Sequence, residues 1–105
     1  MSLTVVITRD VEMRYRGFLG SAMLEIAPGV YVSPRMSKAV RERVWNVLCD
    51  WHGTLGAGAI VMVSRDKTKP GQIAIETLGM PPKELLEADG LLLVRRPLSG
   101  DSSVR

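Results

Sequence analysis

Five charged side chains crowd the stretch Thr8-Arg-Asp-Val-Glu-Met-Arg-Tyr-Arg-Gly17, which joins an apolar run to a segment with helical spacing. A helix start presents unpaired N–H groups and a partial positive charge, so anions are welcome there and cations are mildly unfavourable. Arg14 and Arg16 therefore have two readings. Their guanidinium groups and the helix N–H donors converge on an incoming phosphate, or Asp10 and Glu12 neutralise them locally as cap and ion pairs. Residue types and spacing do not separate the two. Asp10 also divides: it is an N-cap or an N-cap's neighbour, or it meets a second Asp10 across a symmetric dimer and holds Mg²⁺ as a catalytic acid and metal ligand.

Further along, Lys38 and Arg41 lie off the apolar stripe of a second helix. They extend the basic surface of Arg14 and Arg16, or they are a solvated helix face. Trp45 points roughly 130° from the stripe's centre, to wedge against the first helix or to join an interface. Other catalytic candidates are thin. His52 follows Trp51 at a helix end, where a histidine is electrostatically favourable; Cys49 has no activating partner in the sequence. Gly53-Thr-Leu-Gly-Ala-Gly58 precedes a strand and lacks a Lys-Ser/Thr ending, so it reads as a helix stop and turn rather than a phosphate loop.

The elements that must position these residues follow from periodicity. Leu3 to Thr8 is β-branched and reads as a buried strand. From Met13 to Ile26, Tyr15, Leu19, Ala22, Met23 and Ile26 recur at helical steps, and Pro28-Gly29 ends that helix. Val30 to Val32 reads as a short strand. Ser33-Pro34 opens a longer helix whose stripe is Met36, Val40, Val44, Val47, Leu48 and Trp51, with Gly53 as its stop. Ala59 to Ser64 and Gln72 to Leu78 form a hairpin around a turn at Lys67 to Gly71. Pro81-Pro82 starts a short helix through Glu87, Leu91 to Val94 is a last strand, and Ser99 to Arg105 is a tail.

The order β-α-β-α-β-β-β predicts an α+β, ferredoxin-like sandwich, with both helices on one face of the sheet. Residues 1–95 form one domain and residues 96–105 a flexible C-terminal tail. Ile60 and Met62 alternate with Val61 and Val63, so the strands are apolar on both faces while two helices cover only one. A second copy of the chain is the expected cover, giving a homodimer; the alternative is shielding by the C-terminal segment.

With 105 residues the chain suits one core, and its charged share of 24% is that of a folded protein. The net charge of +3 permits an anionic partner without requiring one. A single cysteine, Cys49, forms no internal disulfide, and one cysteine with one histidine is too few for a Cys/His zinc site. No apolar run approaches membrane length and no signal-peptide pattern opens the chain, so a cytoplasmic protein without a membrane partner is expected.

Thr4-Val-Val-Ile-Thr8, Arg14-Tyr-Arg-Gly17, Leu24-Glu-Ile-Ala-Pro-Gly-Val-Tyr-Val32, Val40-Arg-Glu-Arg-Val-Trp45 and Asp89-Gly-Leu-Leu-Leu-Val94 together resemble the CRISPR-associated Cas-two family, in its subtype I-E branch. The resemblance spans about residues 3 to 95, and the stretch from Leu24 to Val32 is its most specific part. It implies a ferredoxin-like homodimer seated between two dimers of the Cas-one integrase, forming a platform for the duplex spacer precursor. Arginines matching Arg14 and Arg16 contact DNA phosphates in that family. Its C-terminal segment docks the integrase, a role that would fall here on Leu91, Leu92, Leu93, Val94, Arg95 and Arg96. Some members of the wider family are Mg²⁺-dependent nucleases with an acid directly after the first strand. Here that place holds Arg9, and Asp10 follows one position later, a departure that disfavours a cation. The expectation is a non-catalytic scaffold needing no cofactor, with an Mg²⁺-dependent endonuclease using Asp10 as the alternative.

Overall fold

The structure, a computed structural model, describes residues 2–80, 84–88 and 91–95, the side chains of 84–88 and of 92, 93 and 95 excepted. Its order is β1 (Ser2–Arg9), α1 (Met13–Ala22), β2 (Leu24–Ala27), β3 (Val30–Met36), α2 (Lys38–Leu55), β4 (Ala59–Arg65), β5 (Ile73–Leu78), β6 (Glu84–Ala88) and β7 (Leu91–Arg95). Strands one to five form an antiparallel sheet ordered β2-β3-β1-β4-β5, and β6-β7 is a separate two-stranded ladder. The sheet order of the first four strands, with a helix after β1 and after β3, is the expected ferredoxin-like α+β fold.

Three boundaries differ from the periodicity reading. The first helix stops at Ala22, and Leu24–Ala27 is a strand instead of its last turn. Gly17, Gly20 and Ser21 make that helix weak. Meanwhile Pro28-Gly29, with Gly29 at φ 78°, builds a tight turn that pairs Ala27 with Val30 and Leu24 with Val32. A side chain at Gly29 would also bring its Cβ within 2.7 Å of the Thr8 carbonyl oxygen. Thr8 donates both its N–H, at 2.7 Å, and its hydroxyl, at 3.1 Å, to the Gly29 carbonyl. The hairpin turn is thereby tied to the end of β1.

The second helix begins four residues later than Pro34 predicts. A residue before proline favours extended backbone, and β3 runs on until Met36 pairs with Ser2. Pro34 is tolerated because β2 pairs β3 only over residues 30–32, and the β1 register is broken opposite it. Ser37 then caps the helix, accepting the Val40 N–H at 3.2 Å. The helix passes Gly53 and ends at Leu55, where Gly56 takes the left-handed cap conformation at φ 69°. The third difference is Glu84–Ala88, a strand paired with β7 in place of the expected short helix.

Both helices pack on one sheet face. Val6, Tyr31, Ile60 and Met62 from the strands and Tyr15, Leu19, Val44 and Leu48 from the helices form the buried core, closed at its ends by Met23 and Met36. The other face alternates as expected, and among the described residues no helix covers it: Val5 is aligned between Val32 and Val63, and Ile7 between Val30 and Val61. Leu3 and Ile7 are exposed there, as is Leu24 beside Val32.

Candidate nucleic-acid interface

The topology decides what surrounds the basic corner. In a β-α-β-β-α-β sheet of this order the two helices run antiparallel, so the last turns of α2 lie beside the first turn of α1. Tyr15 and Phe18 of α1 consequently meet the Trp51 ring edge-on, with centroids 5.4 Å and 5.3 Å away. Arg14 continues this cluster outward, its guanidinium carbon 5.2 Å from the Trp51 centroid. Arg14 remains exposed, so its N–H groups can still reach an oxyanion.

Arg16 is fixed differently. It pairs with Glu25 of β2 at 3.6 Å, the arginine side chain 60% exposed and the carboxylate 28% exposed. The same Glu25 oxygen accepts the Gly29 N–H at 3.1 Å. An ion pair this exposed contributes at most about 1 kcal/mol, so a phosphate competes with it on comparable terms. Beneath it, burial raises the Tyr31 phenol above its usual value and the Glu25 carboxylate adds to the shift.

The local neutralisation weighed for this corner is not the arrangement found. Glu12 occupies the N-cap position of α1 but makes no side-chain cap bond. Among the described residues the only ion pair is Arg16–Glu25, so neither Asp10 nor Glu12 pairs with Arg14 or Arg16. Asp10 is exposed and takes a left-handed φ of 58°. Gly58 lets the two backbones pass closely here, since a Cβ there would stand 2.6 Å from the Asp10 carbonyl oxygen. His52 steadies the same loop, its Nε2–H donating to the Gly58 carbonyl at 3.1 Å. Among the described residues no three acidic, histidine or cysteine side chains gather around a metal-sized space. One protomer thus offers Mg²⁺ fewer than three such side chains around Asp10, a sparse donor set for an ion that favours octahedral oxygen coordination.

The remaining candidates are dispersed. Lys38 and Arg41 sit at the start of α2, which follows the Met36–Ser2 pair at the beginning of β1. They therefore occupy the end of the sheet opposite Arg14 and Arg16, which follow the end of β1, and do not extend that surface. Trp45 packs half-buried against the core. Cys49 is partly buried and its thiol is pushed up, chiefly by burial, then by Glu76 and Asp50, which keeps it protonated. On β7, Leu91 and Val94 are both exposed although their parity places them on opposite faces of the ribbon. Leu92, Leu93 and Arg95 have a described backbone only, and Arg96 lies outside the described residues.

Two residues of the corner escape the reading of the sequence, Trp51 and Glu25. Trp51 looks like one more member of an apolar stripe, and the helical period from Met13 to Ile26 takes in Glu25. The antiparallel helices implied by a ferredoxin-like plan were the available signal for Trp51. Glu25 required the β2–β3 hairpin to be recognised from Pro28-Gly29.

Fold and corner together define a small ferredoxin-like α+β protein that holds two exposed arginines, each by a different device, at the end of its central strand. Residues 3–93 match the family described as CRISPR-associated protein (Cas_Cas2CT1978). The match takes in well over half of the chain, and the protein belongs to this Cas-two-like CRISPR-associated family. Among the described residues no helix is long and apolar enough to cross a membrane.

Proposed function

We propose that the protein is a non-catalytic, dimeric scaffold of CRISPR spacer acquisition, of the subtype I-E kind, that binds the phosphate backbone of a duplex spacer precursor. The observation that carries this reading is the corner itself. Arg14 and Arg16 leave the same exposed helical turn, and neither is neutralised by Asp10 or Glu12. Contacts of this type read phosphates and not bases, so binding is indifferent to sequence and weakens steeply with salt.

The homodimer forms through the uncovered sheet face, whose rows of Val5, Val32 and Val63 and of Ile7, Val30 and Val61 are too apolar to remain in water without cost. Dimerisation places two basic corners on one particle. The Cas-one integrase docks on the β7 segment, where the exposed Leu91 and Val94 support an apolar contact. An isolated two-stranded ladder is marginal in water, so β6-β7 gains most from such a partner.

The test is duplex binding by the assembled complex carrying Arg14→Ala with Arg16→Ala. Binding is expected to fall at moderate salt, and unchanged binding would count against the scaffold. The second reading, a nuclease using Asp10 from each protomer, is supported by an exposed carboxylate that pairs with neither neighbouring arginine. Cleavage of labelled RNA or duplex DNA that needs Mg²⁺ and disappears in Asp10→Asn would replace the scaffold with that enzyme.

A further inference from the structure

The far end of the sheet carries a concentration of cations that the Arg14–Arg16 corner does not explain. A cavity of about 240 Å³ opens there, lined by Ser2, Met36, Lys38, Arg41, Arg65, Asp66 and Lys67. Its four cations come from segments distant in sequence: the first turn of α2, the last residue of β4, and the loop that follows. The fold makes them converge. Met36 pairs with Ser2 and Ser64 with Thr4, so the helix start and the β4 end meet over the beginning of β1.

These cations are poorly compensated. Among the described residues none of Lys38, Arg41, Arg65 and Lys67 forms an ion pair. Arg65 instead donates to the neutral amide oxygen of Gln72 at 3.1 Å. The one carboxylate of the lining is turned toward its own loop. Asp66 accepts the Thr68 N–H at 2.9 Å and the Thr68 hydroxyl at 2.6 Å. Those two bonds are the main reason its carboxyl sits below the usual range, with Lys69 and Arg41 adding less. The first turn of α2 contains no acidic residue. Four positive side chains around one opening repel each other, and two of them also oppose the dipole of the helix they begin. A bound oxyanion relieves both penalties, and arginine forks with lysine ammonium groups are the donors that phosphate oxygens favour.

We infer that this cavity is a second phosphate-binding site on each protomer, built by Lys38, Arg41, Arg65 and Lys67. The eight residues of β1 separate it from the Arg14–Arg16 corner, roughly 25 Å at the rise of a strand. No single phosphate reaches both, so the two sites act independently and their losses add. The phosphate is supplied by a nucleic-acid backbone or by a small phosphorylated solute. The first source rests on the proposed function; the site itself does not.

Amide spectra of the full chain, titrated with inorganic phosphate against chloride at constant ionic strength, test the site directly. Saturable shifts are expected at Val40, Arg41, Asp66 and Lys67, lost in Arg41→Ala with Arg65→Ala, partly kept in Arg41→Lys with Arg65→Lys, and kept in Arg14→Ala with Arg16→Ala. Duplex DNA binding measured over a salt series identifies the source. A backbone partner makes the salt slope shallower by about 1.8 per protomer in Arg41→Ala with Arg65→Ala, whereas an unchanged slope with saturable phosphate shifts assigns the site to a small solute. Absence of saturable shifts in the unmutated protein, together with an unchanged slope in the Arg41/Arg65 variant, overturns the inference. In that event loss of DNA binding in the Arg14/Arg16 variant would leave the proposed function standing alone.

Discussion

On the proposed function, replacing Glu25 with glutamine should strengthen duplex binding, because Glu25 is the carboxylate that pairs with Arg16 and would compete with a phosphate for it. At the 3.6 Å separation of the pair the Coulomb attraction in a water-like dielectric is about 1 kcal/mol. Screening and the side-chain entropy of an exposed pair reduce this. The energy released to a phosphate competitor is then a few tenths to about 1 kcal/mol, or roughly a two- to fivefold gain in affinity per protomer at low salt. Glutamine keeps an oxygen to accept the Gly29 N–H, so the β2–β3 turn is retained. Fluorescence anisotropy with a labelled duplex, from about 50 to 200 mM salt, is a suitable assay. The gain should be largest at the lowest salt and should vanish when Arg16→Ala is added. A Glu25→Gln protein that is folded yet binds no better, or whose gain survives Arg16→Ala, would refute the competition between Glu25 and DNA.

Trp51→Leu removes the ring under Arg14 and the two edge contacts with Tyr15 and Phe18. It is expected to destabilise the fold by about 1–3 kcal/mol. In DNA binding its effect should be non-additive with Arg14→Ala, a coupling that a double-mutant cycle reads and that simple destabilisation does not produce. Gly58→Ala forces a side chain into φ 85° and against the Asp10 carbonyl. A loss of about 1–3 kcal/mol in denaturant unfolding is expected, with amide shift changes centred on Arg9, Asp10 and His52. Tyr15→Phe deletes a buried hydroxyl with no hydrogen-bond partner, so unfolding at pH 7 should show a neutral effect or a gain of up to about 1 kcal/mol. Burial, with a smaller push from Glu12 against a pull from Arg14, raises the Tyr15 phenol above 10.0. Folding therefore favours the neutral phenol, and the stability it contributes is present below pH 10 and lost as pH rises through the folded-state value. The phenylalanine variant should lose less stability between pH 9 and pH 11 than the unmutated protein, and an identical decline would contradict this assignment.

The strands that form the centre of the sheet were legible from composition alone. Val5-Val-Ile7 and Ile60-Val-Met62 are β-branched and apolar enough to exclude other states, and Tyr15, Leu19 and Met23 fall inside at helical spacing as their period requires. The alternation of Val61 and Val63 with Ile60 and Met62 also disclosed a second apolar face. Segment ends were not legible. Leu24 to Ile26 continues the helical period of α1, but a glycine-weakened helix gives way there to pairing with β3 across Pro28-Gly29. Pro34 resembles a helix start until the Ser2–Met36 pair holds its neighbours extended.

For the basic corner, residue identity determined that cations stand at a helix start, and nothing more. Whether Arg14 and Arg16 answer to Asp10 and Glu12 depends on where side chains of other elements come to rest. Antiparallel packing put Trp51 under Arg14, and the β2–β3 hairpin put Glu25 beside Arg16. The same topology sent Lys38 and Arg41 to the opposite end of β1 and joined them there with Arg65 and Lys67. Charge is a local property that a sequence states outright, whereas the partner of a charge is set by packing between elements that only the folded chain brings together.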